Sequence, residues 1–169
     1  MHPQCFNLFR PIGAIVPANS LVLDVGSYDV NGTLKPLFSH CKYTGCDIGA
    51  GPNVDVVQTL PHVLPFTDES FDVVISANCL EHCKRPWELI LEMDRVLKPS
   101  GIIAVSLPWV GIGYHPYPID CYRITPDAMS ELFGPWMEDN GRFSYEMHVN
   151  AFGELDTFFW GNKKPRTSI

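Results

Sequence analysis

From residue 21 to residue 108 the chain alternates between apolar runs that stop at a turn and stretches with helical spacing. That alternation constrains the fold more than any other feature. Strands joined by crossover helices run parallel, and a parallel sheet needs cover on both faces. The apolar runs lie at 20–26, at 42–49, around 54–57, at 70–82 with departure from the sheet at Ser76, and at 101–108. Between them, 31–39 reads as a short helix with Pro36 near its first turns. Residues 86–101 give the clearest helix. Pro86 suits its first position, Leu89, Ile90, Met93, Val96 and Leu97 recur at helical spacing, and Lys98-Pro99-Ser100-Gly101 stops it. The pattern predicts an α/β fold, doubly wound, with a mostly parallel sheet and helices on both faces.

The flanks are less regular. Residues 1–20 are rich in proline and read as an irregular wrap along one side of the core. Residues 109–126 form a Pro- and aromatic-rich segment too long for a plain connector. The stretch 125–134 predicts a helix with Thr125 as N-cap, Pro126 in the first turn and Gly134 closing it. Residues 142–149 alternate as a strand, 156–161 offer a last one, and 162–169 read as a basic, frayed tail. No internal boundary divides the 169 residues, so one domain is expected over 1–169.

The formal net charge is −7, which argues against a protein that grips phosphate backbones and favours a small or neutral substrate. Six cysteines, at 5, 41, 46, 79, 83 and 121, form no Cys-x-x-Cys pair. Cys79 and Cys83 flank His82, but packed, reduced thiols are the simpler reading, and no metal site is assigned. Residues 1–20 carry Arg10, Pro3, Pro11 and Pro17 without a sustained apolar run, so no secretory signal is expected, and no stretch reaches membrane-spanning length. A cytoplasmic location is the resulting expectation.

The segment LVLDVGSYDVNG (21–32) carries the first functional signal. A strand that ends on Asp24 and turns at Gly26 delivers a loop to the carboxyl edge of the sheet, where ligands of doubly wound folds bind. A pyrophosphate cradle needs further glycines. Tyr28 and Asp29 break that pattern, and the Asp29 carboxylate would repel phosphate. Asp47 ends the second strand, 21 residues beyond Gly26, where an acid accepts hydrogen bonds from ribose hydroxyls. A nucleoside without phosphate fits these residues, and S-adenosylmethionine is one. The other reading makes Asp24 and Asp47 simple turn formers at strand ends.

The blocks VLDVGS (22–27), YTGCDIGAGPNVDVV (43–57), LPFTDESFDVVISANCLEH (64–82) and ELILEMDRVLKPSGIIAVSLP (88–108) resemble the class I S-adenosylmethionine-dependent methyltransferases of the small type 11 group. The resemblance is strong over 20–108 and looser over 109–135. It implies a Rossmann-like sheet with a minimal N-terminal region, S-adenosylmethionine as cofactor and S-adenosylhomocysteine as product. It also implies that Asp24, Gly26 and Ser27 line the methionine end and that Asp47 holds the ribose. Ile48 would pack against adenine, Thr59-Leu60-Pro61 would pass the adenine edge, and Asn78 would lie near the methyl group. Two positions depart from the family pattern. Tyr28 replaces a glycine, so its ring must point away from the cofactor or help lid it. Leu60 replaces an acid, which leaves adenine to backbone groups or Gln58. With few residues before the first strand, the pocket stays open, is closed by 1–20, or is completed by a second subunit in a homodimer.

Methyl transfer needs alignment, exclusion of water and, for a hydroxyl acceptor, a base. His115 is the first candidate and His82 the second, with Glu81 able to orient it. The stretch YHPYPIDCYR (114–123) follows the fifth strand, stiffened by Pro116 and Pro118. Tyr114 and Tyr117 can wall an acceptor pocket, with Trp109 as its floor or as core. Asp120 and Arg123 either bind the acceptor or only staple the loop. Similar HPYP tails in relatives linked to sugar or glycan biosynthesis imply O-methylation of a saccharide or other small polar metabolite. A cofactor-binding accessory or regulatory protein without catalysis is the alternative. A nucleic-acid methyltransferase is disfavoured by the charge and by the lack of an Asn-Pro-Pro-Tyr signature.

Overall fold

Leu21–Val25 forms the first strand, β1, because its side chains are apolar on both sides. Val22 points to one face of the sheet, Leu23 and Val25 to the other, and all are buried. The computed structural model describes residues 3–109, 111–133, 145–152 and 156–164. Helix α1 (Pro3–Ile15) precedes β1. Then come β2 (Lys42–Asp47), the short β3 (Val56–Val57), β4 (Phe71–Ala77), α2 (Pro86–Val96) and β5 (Leu97–Pro108). Helix α3 (Pro126–Phe133), β6 (Tyr145–Phe152) and β7 (Asp156–Lys163) complete the fold.

The strands form one seven-stranded sheet in the order β3-β2-β1-β4-β5-β7-β6. Pairing is parallel from β3 through β5, and β7 runs antiparallel to β5 and to β6. The order in which successive strands are laid across the sheet reverses between β1 and β4. The loops leaving their carboxyl ends diverge there and open a crevice. Two buried clusters cover the faces. Cys5, Phe9 and Ile12 of α1 pack with Phe38 on Val22, Val73 and Ile75. Leu89, Ile90 and Met93 of α2, with Met129 and Phe133 of α3, pack on Leu23, Val74 and Val105. The adjacent Phe158 and Phe159 point oppositely. Phe158 meets Phe9 edge-on at 5.1 Å between centroids, and Phe159 stacks on Phe133 at 4.4 Å.

Several sequence expectations are corrected. Residues 3–15 are helical rather than irregular. Cys5, Phe9 and Ile12 recur at helical spacing and bury one stripe against the sheet, although Pro11 lies inside the helix. Residues 31–39 contribute only a 3₁₀ turn at Lys35–Phe38. Helix α2 ends at Val96, earlier than expected, and Leu97 is already extended and paired with Phe71. Pro99 disfavours helical backbone at the preceding residue. The last strand runs to Lys163, two residues into the expected tail. The Lys163 ammonium is buried and donates to the Asp94 and Leu97 carbonyls at 2.7 and 3.0 Å, with the Asp94 carboxylate at 3.2 Å. Thr125 caps α3 as expected, its Oγ1 accepting from the Ala128 N–H at 3.0 Å. Gly134, residues 142–144 of the expected strand and 165–169 of the tail lie outside the described residues.

Candidate active site

A cleft of about 780 Å³ opens along the carboxyl ends of β1, β2 and β4, roofed by the loop after β5. Gly26 lines it at a close approach of two loops. The backbone there has φ +80°, and a β-carbon would fall 2.3 Å from Cys79 Sγ, so only glycine fits. The Gly26 and Ser27 N–H groups both donate to the Cys46 carbonyl, at 2.9 and 3.2 Å. Ser27 Oγ donates to the Asn53 carbonyl, and Asn53 Nδ2 returns a bond to the Ser27 carbonyl, both at 3.0 Å. The β1 loop is thus pinned to β2 and to the turn beyond it. Tyr28 lays its ring on Gly51, where a β-carbon would come within 2.2 Å of it. The ring therefore walls the cleft beside the glycine turn.

Two carboxylates face the same cavity. Asp24 is 4% exposed and accepts a short hydrogen bond from the Tyr43 hydroxyl. Burial pushes its pKa up to about 7; the Tyr43 bond opposes the rise and the Asp47 charge adds to it. The Tyr43 phenol is itself pushed up by burial and by Asp24. Asp47 accepts the Tyr28 N–H on Oδ2 and the Gly49 N–H on Oδ1, each at 3.1 Å, which leaves lone pairs for a ligand. Beside it, Ile48 is 50% exposed and lines the cleft. Gln58 is buried in the wall, its Nε2 donating to the Leu60 carbonyl at 3.2 Å. Thr59 and Leu60 do not line the cleft, and the Leu60 side chain faces outward; Pro61 takes their place.

The far end is built by the turn after β4 and the loop after β5. Asn78, at φ +50°, donates its N–H to the Ser106 carbonyl at 3.1 Å, and its Oδ1 accepts from Ser106 Oγ at 3.0 Å. A 3₁₀ turn at Leu80–His82 then brings in two functional side chains. Glu81 is 0% exposed, and its carboxyl makes no hydrogen bond to another residue among the described residues. Burial raises its pKa to about 8. Its own backbone bond opposes this, Asp156 adds, Arg123 opposes and Asp120 adds. Glu81 Oε1 lies 3.6 Å from His82 Nε2 and 3.8 Å from His115 Nε2. The two imidazoles meet edge-on, 5.2 Å apart. His82 Nδ1 bonds to the Ile119 carbonyl, and His115 Nδ1 lies 2.9 Å from the Gly113 carbonyl. Both Nε2 atoms thus face the Glu81 carboxyl, and Arg123 Nη2 stands 3.3 Å from His115 Nδ1.

Asp120 and Arg123 line no part of the cleft; they staple its roof. Arg123 grips Asp120 through two bonds of 2.5 and 2.8 Å, and donates further to the carbonyls of Ile112, Gly113 and Tyr122. Arg123 holds the Asp120 carboxyl well below the usual range. Asp120 in turn accepts the His115 N–H at 2.8 Å, so the pair sets where His115 stands. Tyr117 lines the cleft at 66% exposure, whereas Tyr114 and Trp109 lie outside the lining. Of the residues expected from sequence, Asp24, Gly26, Ser27, Asp47, Ile48, Asn78, His82, His115 and Tyr117 share one cavity. Sequence reading did not single out Cys79, Ile112 or Pro118 as wall, and gave Glu81 only an orienting part. Only burial and contacts across 34 residues of chain reveal their place.

These surroundings suit a cationic nucleoside. A buried carboxyl with a pKa near neutrality faces the cavity, and a second carboxylate has free lone pairs. Residues 23–105 match the family described as Methyltransferase domain, type 11. A curated uncharacterized methyltransferase of Mycobacterium leprae is 33% identical over 109 residues, 56% of this chain and 40% of that protein. The chain spans well under half the length of the curated relatives it matches. A methyltransferase from Aquifex aeolicus superposes with a TM-score of 0.65 at 19% identity, covering 95% of this chain and 93% of that one. A Burkholderia thailandensis 1,6-didemethyltoxoflavin-N1-methyltransferase, solved with that compound and S-adenosylhomocysteine, gives 0.66 at 17% identity over 97% and 78%. The fold is the one shared by solved S-adenosylmethionine-dependent methyltransferases. The family resemblance lies in residues 23–105, just under half of the chain.

Proposed function

We propose that this chain methylates an oxygen of a small polar acceptor of saccharide type. The observation that carries this reading is the cleft's polarity. Carboxyl groups stand at the β1–β2 end and two imidazoles at the other. S-adenosylmethionine, when bound, supplies a methyl group on a sulfonium, open to in-line displacement by a nucleophile. Asp24 would hold the cationic end of the cofactor, with Gly26 and Ser27 permitting close approach of the backbone. Asp47 would accept the ribose hydroxyls, and Ile48 would pack on adenine, with Gln58 and Pro61 beside it. Asn78, fixed by Ser106, stands between the two ends.

At the acceptor end, His115 Nε2 would take the hydroxyl proton, with His82 and Glu81 beside it. Asp120 and Arg123 act as positioning residues, because they set the His115 backbone and hold the loop. Tyr117 and Pro118 would wall the acceptor. The Burkholderia neighbour named above is a 1,6-didemethyltoxoflavin-N1-methyltransferase, which supports a small-molecule acceptor in this fold. No helix among the described residues is long and apolar enough to cross a membrane, and all six cysteines are free thiols. Both fit the cytoplasmic placement that we propose with this activity.

The reading is tested by incubating the purified chain with S-adenosylmethionine and a panel of monosaccharides, glycosides and polar aglycones. Production of S-adenosylhomocysteine that depends on a hydroxylated acceptor supports it. Binding of the cofactor without turnover on any polar fraction would assign the chain to the non-catalytic alternative.

A further inference from the structure

We propose that Glu81, His82 and His115 bind one zinc-class divalent cation at the acceptor end of the cleft. Spacing along the chain assigns no metal here, since His115 lies 33 residues from His82. The fold brings them together, with one ligand atom from each residue within 4.8 Å of the others. Both imidazole Nε2 atoms face a single carboxylate oxygen, at 3.6 and 3.8 Å. Ligands at about 2.0–2.2 Å from a tetrahedral ion stand roughly 3.3–3.6 Å apart, so closure asks for shifts of a few tenths of an ångström in the two Glu81–histidine pairs and of up to about 1.5 Å between the two imidazoles.

Three further features fit a cation. First, the Nδ1 atoms are anchored from behind, His82 by the Ile119 carbonyl and His115 by the Gly113 carbonyl, with the Asp120 carboxylate 3.4 Å away. Ligating histidines are held in this way, with the second nitrogen donating to a carbonyl or carboxylate. Second, Glu81 is fully buried, makes no hydrogen bond to another residue among the described residues, and lines the cavity. A buried carboxylate is costly without a compensating positive charge, which the ion supplies. Third, two imidazoles and one carboxylate form a donor set with open positions, suited to zinc-class ions and not to the oxygen-seeking calcium or magnesium.

The consequence for function rests on the reading given above. The ion takes the two Nε2 lone pairs that a base needs, so the metal-bound and base-competent forms exclude each other. Zinc is therefore an inhibitor of proton removal at this site.

Cobalt(II) titration of the full chain, followed by visible absorption, tests the site, with S-adenosylhomocysteine binding measured by calorimetry on the same samples. The expected result is one cobalt per chain with bands of a low-coordinate N/O site, displaced by zinc. Glu81→Gln and His115→Ala should each weaken cobalt binding by about 10–100-fold or more while keeping S-adenosylhomocysteine binding, which shows that they fold. Absence of saturable cobalt binding would overturn the proposal, as would binding unchanged in both variants. A thiolate-to-cobalt charge-transfer band would also overturn it, by placing the ion on cysteine. If S-adenosylhomocysteine binds and cobalt does not, only this inference fails. If cobalt binds and S-adenosylhomocysteine does not, the cation site stands and the functional reading fails.

Discussion

Gly26 and Cys79 touch across the crevice between β1 and β4: a β-carbon on Gly26 would lie 2.3 Å from the thiol sulfur and 2.4 Å from Cys79 Cβ. Gly26→Ala is therefore expected to lower the melting temperature by several degrees and to abolish cofactor binding. Positive φ alone costs a non-glycine residue about 1–2 kcal/mol, and the clash adds to it. Cys79→Ala should not rescue the variant, because the clash includes Cys79 Cβ. Cys79→Gly should rescue part of it. Melting curves of the two double variants check this coupling.

Asp24 should make both stability and affinity depend on pH. Its folded pKa of about 7 lies above the value near 4 expected when unfolded. Between those limits the folded state holds the extra proton, so stability falls as pH rises from about 4 to about 7. Asp24→Asn removes that slope, and the variant should gain on the order of 4 kcal/mol relative to wild type across the window. Cation binding has the opposite trend, because it needs the ionised carboxyl. S-adenosylhomocysteine affinity should rise about tenfold from pH 6 to pH 8 in wild type and stay flat in Asp24→Asn. Denaturant melts and calorimetry across pH provide the two readouts.

His115 and Arg123 should separate chemistry from positioning. His115→Ala is expected to cut turnover by about 10²–10⁴-fold, as loss of a general base does, with S-adenosylhomocysteine affinity kept. Arg123→Lys keeps the charge but loses the paired grip on Asp120. It should reduce turnover less and raise the acceptor KM. Steady-state kinetics with an acceptor from the panel would distinguish the two patterns.

Lys163 is a buried cation held by the Asp94 and Leu97 carbonyls and the Asp94 carboxylate. Lys163→Met should destabilise the chain by about 3–5 kcal/mol, because it removes the cation from a buried pair and leaves the carboxylate behind. The checking measurement is the urea unfolding midpoint.

How much of this could be read along the chain depended on whether the signal was local. β1 and β4 are continuous apolar runs because both faces of each are covered, and such runs show in any window. α1 was hidden: its stripe of Cys5, Phe9 and Ile12 is regular, but Pro3, Pro11 and Pro17 read as breakers. Lys163 looked like tail because burial of a lysine is decided by partners some 66 residues away. In the site, Asp24, Gly26 and Asp47 were legible because strand ends and a turn place them. Glu81 was not, since its environment is assembled from His115, Arg123 and Asp156, all distant in sequence. Asp120 and Arg123 were read with two roles open, and the contacts of Arg123 with three carbonyls favour the staple.

Calorimetric titration of S-adenosylhomocysteine into the wild-type chain and into Asp47→Ala examines the cleft itself. One ligand should bind per wild-type chain, and the variant should bind about 10–100-fold more weakly, as expected when hydrogen bonds to a charged acceptor are lost. A wild-type chain that takes up no ligand, or a variant that binds as tightly, would contradict the assignment of this crevice to an adenosyl cofactor.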